Sequence, residues 1–171
     1  RVVRPSPPLA SDMYGELIPR PVESLIACLE QPSAMGTPAL FGPPDPTARQ
    51  INEVIEAIAA GVSAESACSN NVRLAAACLA AYIRKLPEPL ISSPHYERLC
   101  SAMDVEVYAE RIAAVRDEVS EMGESHQAVL HRLFNLLSKL SQRSTAPGNG
   151  PEDLAAYWTA MITPLTPTKP K

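Results

Sequence analysis

Arg84-Lys85-Leu86-Pro87-Glu88-Pro89-Leu90-Ile91 is the stretch on which the fold turns. Two prolines one residue apart cannot continue a helix, because each lacks a backbone N–H and clashes with the turn before it. They also drive the residues ahead of them towards extended backbone. Whatever precedes them must end abruptly near Leu86. Upstream, Val72, Ala75, Ala76, Leu79, Tyr82, Ile83 and Leu86 recur at helical spacing, and Asn70 or Asn71 is placed to cap the helix they define. On its other side, Arg73, Ala77, Ala80 and Arg84 fall within about 60° of arc. That stripe reads as one exposed face on which two arginines flank two alanines.

Working outward, the same period recurs. Val22, Leu25, Ile26 and Leu29 form a helical stripe after Pro21, which suits a first-turn position. Residues 37–47 hold four prolines and read as a stiff loop. Asp45-Pro46 reads as an N-cap followed by a first-turn proline, and Ile51, Val54, Ile55 and Ile58 follow on one face until Gly61 stops them. Downstream, Pro94 opens a short helix to about Met103. Asp104 is expected to cap a longer one along Tyr108, Ile112, Val115, Val119 and Met122. A third, opened by Glu124 or Ser125, carries His126, Val129, Leu130, Leu133, Leu137 and Leu140. The last runs from about Glu152 through Trp158 to Met161. No segment alternates with a period of two, so an all-α domain of about seven helices is expected over residues 21–164. Residues 1–20 read as a Pro/Ser-rich lead-in and 165–171 as a Pro/Thr/Lys tail. The missing initial Met suggests a fragment of something longer.

The chain has 171 residues and a net charge of −4, enough for one domain with a real core and without the basic stripe of a nucleic-acid binder. No apolar run approaches the roughly 20 residues that span a bilayer. Cys28, Cys68, Cys78 and Cys100 are too widely spaced for a zinc site and read as free thiols of a cytoplasmic protein. No cofactor or metal is expected. No G-x-S-x-G turn supports hydrolase chemistry. His126 reads as a core or edge histidine and Trp158 as a core anchor. Asp117, Glu118, Glu121 and Glu124 read as a solvated acidic face.

The Leu86–Leu90 turn after a helix resembles the signature of RhoGAP (Rho GTPase-activating protein) domains. Leu40-Phe41 before a loop resembles that family's finger region. Met122-Gly123-Glu124-Ser125-His126 with its leucine stripe resembles the penultimate helix, and Asp153-Leu154-Ala155 the helix that carries the family's asparagine. Order and spacing agree over residues 21–164. Within the family, Leu40-Phe41-Gly42-Pro43-Pro44, Ala75–Ile91 and His95–Asp104 most resemble the RhoGAP-like domain of inositol polyphosphate 5-phosphatases of the Lowe-syndrome type. The divergent relative in phosphoinositide 3-kinase regulatory subunits is a weaker match.

The resemblance implies a Rho-family small GTPase as partner, into whose nucleotide site the family inserts an arginine. That arginine neutralises charge developing in phosphoryl transfer, worth roughly 10³–10⁵ in rate. Here the position falls at Gly42, or at Pro43 with a shift of one, and neither carries a side-chain donor. Arg49 lies inside the next helix, about two turns from its start at most. The family's lysine position reads Ala80, its arginine Arg84, and its asparagine Asp153, which keeps only acceptors. Phe41, Arg73, Ala80, Arg84 and Asp153 are thus the expected GTPase-facing residues, with no catalytic one. The expectation is a domain that binds a GTPase without efficient stimulation of hydrolysis. Two alternatives stand beside it: an adaptor for an endocytic or trafficking peptide, and an activator with a displaced arginine. Direct membrane insertion is not expected. The protein would sit in the cytoplasm, reaching endomembranes only through other domains.

Overall fold

The computed structural model describes residues 17–43 and 45–164, so the expected tail and most of the lead-in lie outside the described residues. Nine helices occur among them: α1 (Arg20–Leu29), α2 (Pro32–Met35), α3 (Ala48–Ala59), α4 (Ala64–Ala67), α5 (Val72–Arg84), α6 (Ser93–Met103), α7 (Tyr108–Ser120), α8 (Glu124–Arg143) and α9 (Pro151–Ile162). No strand is present among the described residues. The seven expected helices are all there. The two additions, α2 and α4, are single turns too short to show a period. Ser63 starts α4 by accepting a hydrogen bond from the Ser66 backbone N–H.

The core is built on α1 and α5. Val22, Leu25, Ile26 and Leu29 are fully buried, and α1 packs along α5. The buried α5 positions are mostly small: Ala75, Ala76, Cys78 and Ala80, with Leu79 and Ile83 between. Small side chains let neighbouring helix axes approach closely. Thus α5 touches α1, α3 and α9 together, and α8 closes the bundle against α1 and α9. The helix ends where the prolines require, at Arg84. Pro87, Glu88 and Pro89 stay in solvent while Leu90 turns back into the core. Its burial contributes about 1.5–3 kcal/mol. Beside it, the Ile91 N–H donates to the Ile162 carbonyl at 2.8 Å, pinning the end of this turn to the end of α9.

Arg132 of α8 is buried and faces α1. It donates to Glu23 at 2.9–3.2 Å and pairs with Glu30, which Lys139 also contacts. Burial alone would raise the Glu30 pKa. The hydrogen bonds from Lys139 and Arg132 outweigh it and hold the carboxyl below the usual carboxylate range.

Four local expectations are corrected. Thr47, not Asp45, caps α3: its hydroxyl accepts from the Gln50 N–H while the Gln50 side chain accepts from the Thr47 N–H. This reciprocal box satisfies two orphan donors, which an Asp-Pro start cannot do. Asp104 closes α6 and does not open α7, which begins four residues later. The α7 stripe is covered only in part, since Tyr108 and Ile112 are exposed. Finally, Glu118 leaves the acidic face. Its carboxylate is buried against α6, contacting His95 Nδ1 and accepting from Arg98 Nε at 2.8 Å on both oxygens. Chiefly the His95 contact, then Arg98, holds it below the usual range against the opposing effect of burial. Asp117, Glu121 and Glu124 do stay exposed.

Candidate functional site: a pinned finger loop beside Arg84

Residues 37–42 are held from two sides. From α5, the Arg73 guanidinium donates to the Ala39 carbonyl at 2.8 Å and to the Pro38 carbonyl at 2.5 Å. From the loop before α9, the buried Asn149 side chain accepts from the Leu40 N–H at 2.9 Å. It donates to the Thr37 carbonyl at 2.8 Å and to the Ser144 hydroxyl at 3.0 Å. Ser144 in turn donates to the Met35 carbonyl at 2.8 Å, and the Ala39 N–H to the Pro147 carbonyl at 2.8 Å. The loop spends its own backbone groups too, with the Gly42 N–H on the Ala39 carbonyl at 2.8 Å.

These contacts hold Ala39 at φ +42°, where an L side chain is strained. Gly148, at φ +81°, lies directly against it: a Cβ on Gly148 would stand 2.9 Å from the Ala39 Cβ. Only glycine permits both the backbone and the approach.

Phe41 anchors the loop to α9. It is buried, stacks on Tyr157 at 5.4 Å and meets Trp158 edge-on at 5.1 Å. Trp158 is the expected core anchor at 1% exposure, its indole N–H without an acceptor among the described residues. Beyond the buried Leu40 and Phe41, Gly42 is half-buried and Pro43 exposed at the tip of the loop. A Cβ at Gly42 would meet the Ala39 carbonyl oxygen at 3.0 Å, so the loop must give slightly before any side chain fits there.

The remaining expected residues separate. Arg84, the last residue of α5, is exposed and forms no hydrogen bond or ion pair with the described residues. A cation there is favoured by the helix dipole. Its charge reaches Tyr157. Burial first, then Asp45, raises the Tyr157 phenol above its ordinary value, with Arg84 opposing, so the hydroxyl stays protonated. Asp153 is exposed in the first turn of α9, where a carboxylate suits the helix N-terminus. Ala80 is not on an exposed face. It is 3% exposed and lies in the core, on a helix packed against α1, α3 and α9 at once. The two-arginine face is also not intact, since Arg73 is turned onto the loop. Arg49, in the first turn of α3, is 85% exposed on its side chain and pairs with Glu53 at 2.7 Å.

Sequence reasoning missed Asn149, Tyr157 and Asp45 at this site. The only available sign for Asn149 was its place between two glycines in a loop. His126 is half-buried at the mouth of a roughly 270 Å³ pocket beneath the Leu86–Leu90 turn, an edge histidine as expected. No group of three or more His, Cys, Asp or Glu among the described residues could hold a metal, and no helix there is long and apolar enough to cross a membrane.

The RhoGAP domain family matches residues 19–166. The chain belongs to the RhoGAP family. Its fold is similar to the crystal structure of human Rho GTPase activating protein 15, with a TM-score of 0.77 at 14% identity over 92% of this chain and 85% of that one. At that identity the likeness concerns the fold alone. Membership makes a Rho-family GTPase the partner class.

Proposed function

We propose that this RhoGAP domain binds a Rho-family GTPase through the region around Arg84 without efficiently stimulating GTP hydrolysis. The supporting observation is that no arginine occurs between Arg20 and Arg49, so residues 37–47 carry none. A stimulated rate needs a fixed guanidinium at the developing charge, with a planar fork that no other side chain supplies. Gly42 and Pro43 at the tip of the loop offer none, and Arg73 is already spent on Pro38 and Ala39. Asp153 adds a negative charge where the family has an amide, which weakens contact with acidic patches of a GTPase. A panel of Rho-family GTPases loaded with a non-hydrolysable GTP analogue tests binding, and single-turnover hydrolysis on the same panel tests stimulation. The expected result is binding to at least one member, weakened by Arg84→Ala, with hydrolysis raised less than about tenfold. Failure to bind any member would overturn the proposal, as would stimulation far above that limit.

One observation favours a second reading, an activator with a displaced arginine. Because Thr47 caps α3, Arg49 stands in the first turn of that helix, nearer the loop than the Asp45 start implied, and its side chain is open to solvent. Arg49→Ala separates the readings: it abolishes any stimulation if Arg49 acts as the finger, and leaves it unchanged otherwise.

A further inference from the structure

Tyr157 stands on the border between the buried and the open sides of α9. Leu154 and Trp158 lie on the buried side, while Asp153, four residues earlier on the face that Tyr157 shares, is exposed. The Tyr157 ring is fixed in place. Phe41 stacks on it at 5.4 Å with 28° between the planes, and Trp158 meets it edge-on at 5.7 Å. The hydroxyl is unengaged. It forms no hydrogen bond with the described residues. It also reaches solvent, because the Trp158 indole N–H is the only buried side-chain polar group among them without a partner. A tyrosine that is apolar and held at one end and wet at the other is a side chain that interfaces favour. With its ring already immobilised, little conformational freedom is left to lose on binding.

The neighbours set what this hydroxyl would meet. Helix α9 packs on α5, and the charge of Arg84, at the exposed end of α5, is felt by the same phenol. Both groups are donors: a guanidinium has no acceptor, and the phenol stays protonated. Neither has a hydrogen-bonding partner among the described residues. Two free donors on adjoining helices suit an acceptor oxygen of a bound protein. Tyrosine and arginine are also the side chains that carry a large share of binding energy where proteins meet.

We propose that Tyr157 is a GTPase-contacting residue of this domain: its hydroxyl donates to an acceptor oxygen of the partner beside Arg84, while its ring braces Phe41 and the loop over residues 37–42. The inference rests on the function proposed above. The test measures affinity of the whole chain for the Rho-family panel loaded with a non-hydrolysable GTP analogue, in the wild type, Tyr157→Phe and Tyr157→Leu. Thermal melts and amide exchange of residues 37–42 are recorded on the same proteins. Tyr157→Phe keeps the ring and removes only the hydroxyl. It is expected to weaken binding about three- to tenfold, with melt and exchange as in the wild type. Tyr157→Leu is expected to weaken binding further and to raise exchange in residues 37–42. Wild-type affinity in Tyr157→Phe would overturn this inference and leave the proposed function standing. A loss in Tyr157→Phe accompanied by a lower melt or faster exchange would assign the hydroxyl to the fold, and would overturn it too. Binding of no GTPase by the wild-type chain would overturn the proposed function and this inference with it.

Discussion

The guanidinium of Arg73 reaches the carbonyls of Pro38 and Ala39, 35 and 34 residues away in sequence, at 2.5 and 2.8 Å. A residue that helical periodicity assigns to an open face is thus a structural tie, holding the loop over residues 37–42 to α5. Arg73→Ala should destabilise the domain by about 1–2 kcal/mol. It should also raise amide exchange in residues 37–42 above that of the α1 and α5 cores. Arg73→Lys should recover little, since an ammonium lacks the planar fork that spans two carbonyls. Denaturant unfolding and hydrogen exchange check this.

Gly148 and Ala39 make a second test of the same loop. Gly148→Ala adds a Cβ 2.9 Å from that of Ala39 at positive φ and should cost at least about 1 kcal/mol. Ala39→Gly relieves the strain at its own backbone and the closest of the contacts, leaving the Cα and N of residue 39 at 3.0 and 3.2 Å. The double variant should be more stable than Gly148→Ala alone in thermal denaturation.

Gly42→Arg asks whether the loop still presents its tip to a bound nucleotide. Turnover by a bound GTPase should rise, by less than the roughly 10³–10⁵ of a native finger. The Cβ is tight against the Ala39 carbonyl, so the loop must shift slightly to admit the side chain. Adding Asp153→Asn should raise it further. Single-turnover hydrolysis is the measurement, and an unchanged rate with intact binding would mean that position 42 does not reach the nucleotide.

Acid should unfold the domain through Glu30 and Glu118. Both carboxyls are held below their ordinary value in the folded state. Their contribution is present above the unfolded value, near 4.5, and is lost as pH falls through the folded values. Melting temperature should be flat from neutrality to about pH 5 and then fall. Arg132→Ala, which leaves Glu23 without its partner and Glu30 with Lys139 alone, should cost about 1–3 kcal/mol at neutral pH. Lys139→Ala, at a more open site, should cost under about 1 kcal/mol.

The thiols should divide one against three. Cys100 is exposed, while Cys28, Cys68 and Cys78 are buried. Burial, chiefly, pushes Cys28 up to about 11, and the hydrogen bond that the Cys68 thiol donates to Cys78, together with burial, raises Cys68 while lowering Cys78. A disulfide-exchange reagent at neutral pH should titrate one thiol promptly, and the other three only after unfolding.

Most of the fold was legible because it rests on local signals. The α1 stripe and the proline stop after Arg84 depend on neighbours a few residues apart. The Thr47-x-x-Gln50 box was legible as well, but Asp45-Pro46 offered a competing start. Less of the site could be read, because its residues act across the chain. Nothing near Asn149 shows that it meets Thr37 and Leu40, more than a hundred residues upstream. Glu118 looks solvated until α6 folds beside it, and Ala80 until the helices around α5 close over it. Periodicity showed that Tyr108 and Ile112 are apolar. It could not show that nothing among the described residues covers them, which depends on where α7 points.

The loop over residues 37–42 is carried by Arg73, Pro147, Asn149, Leu40 and Phe41, and none of these is at its tip. Its shape and its reactivity are therefore separate inheritances. A change of side chain at the tip would require only a small shift of the Ala39 carbonyl, and would leave the ties that shape the loop in place. Domains built this way can pass between enzyme and scaffold without crossing an unfolded ancestor.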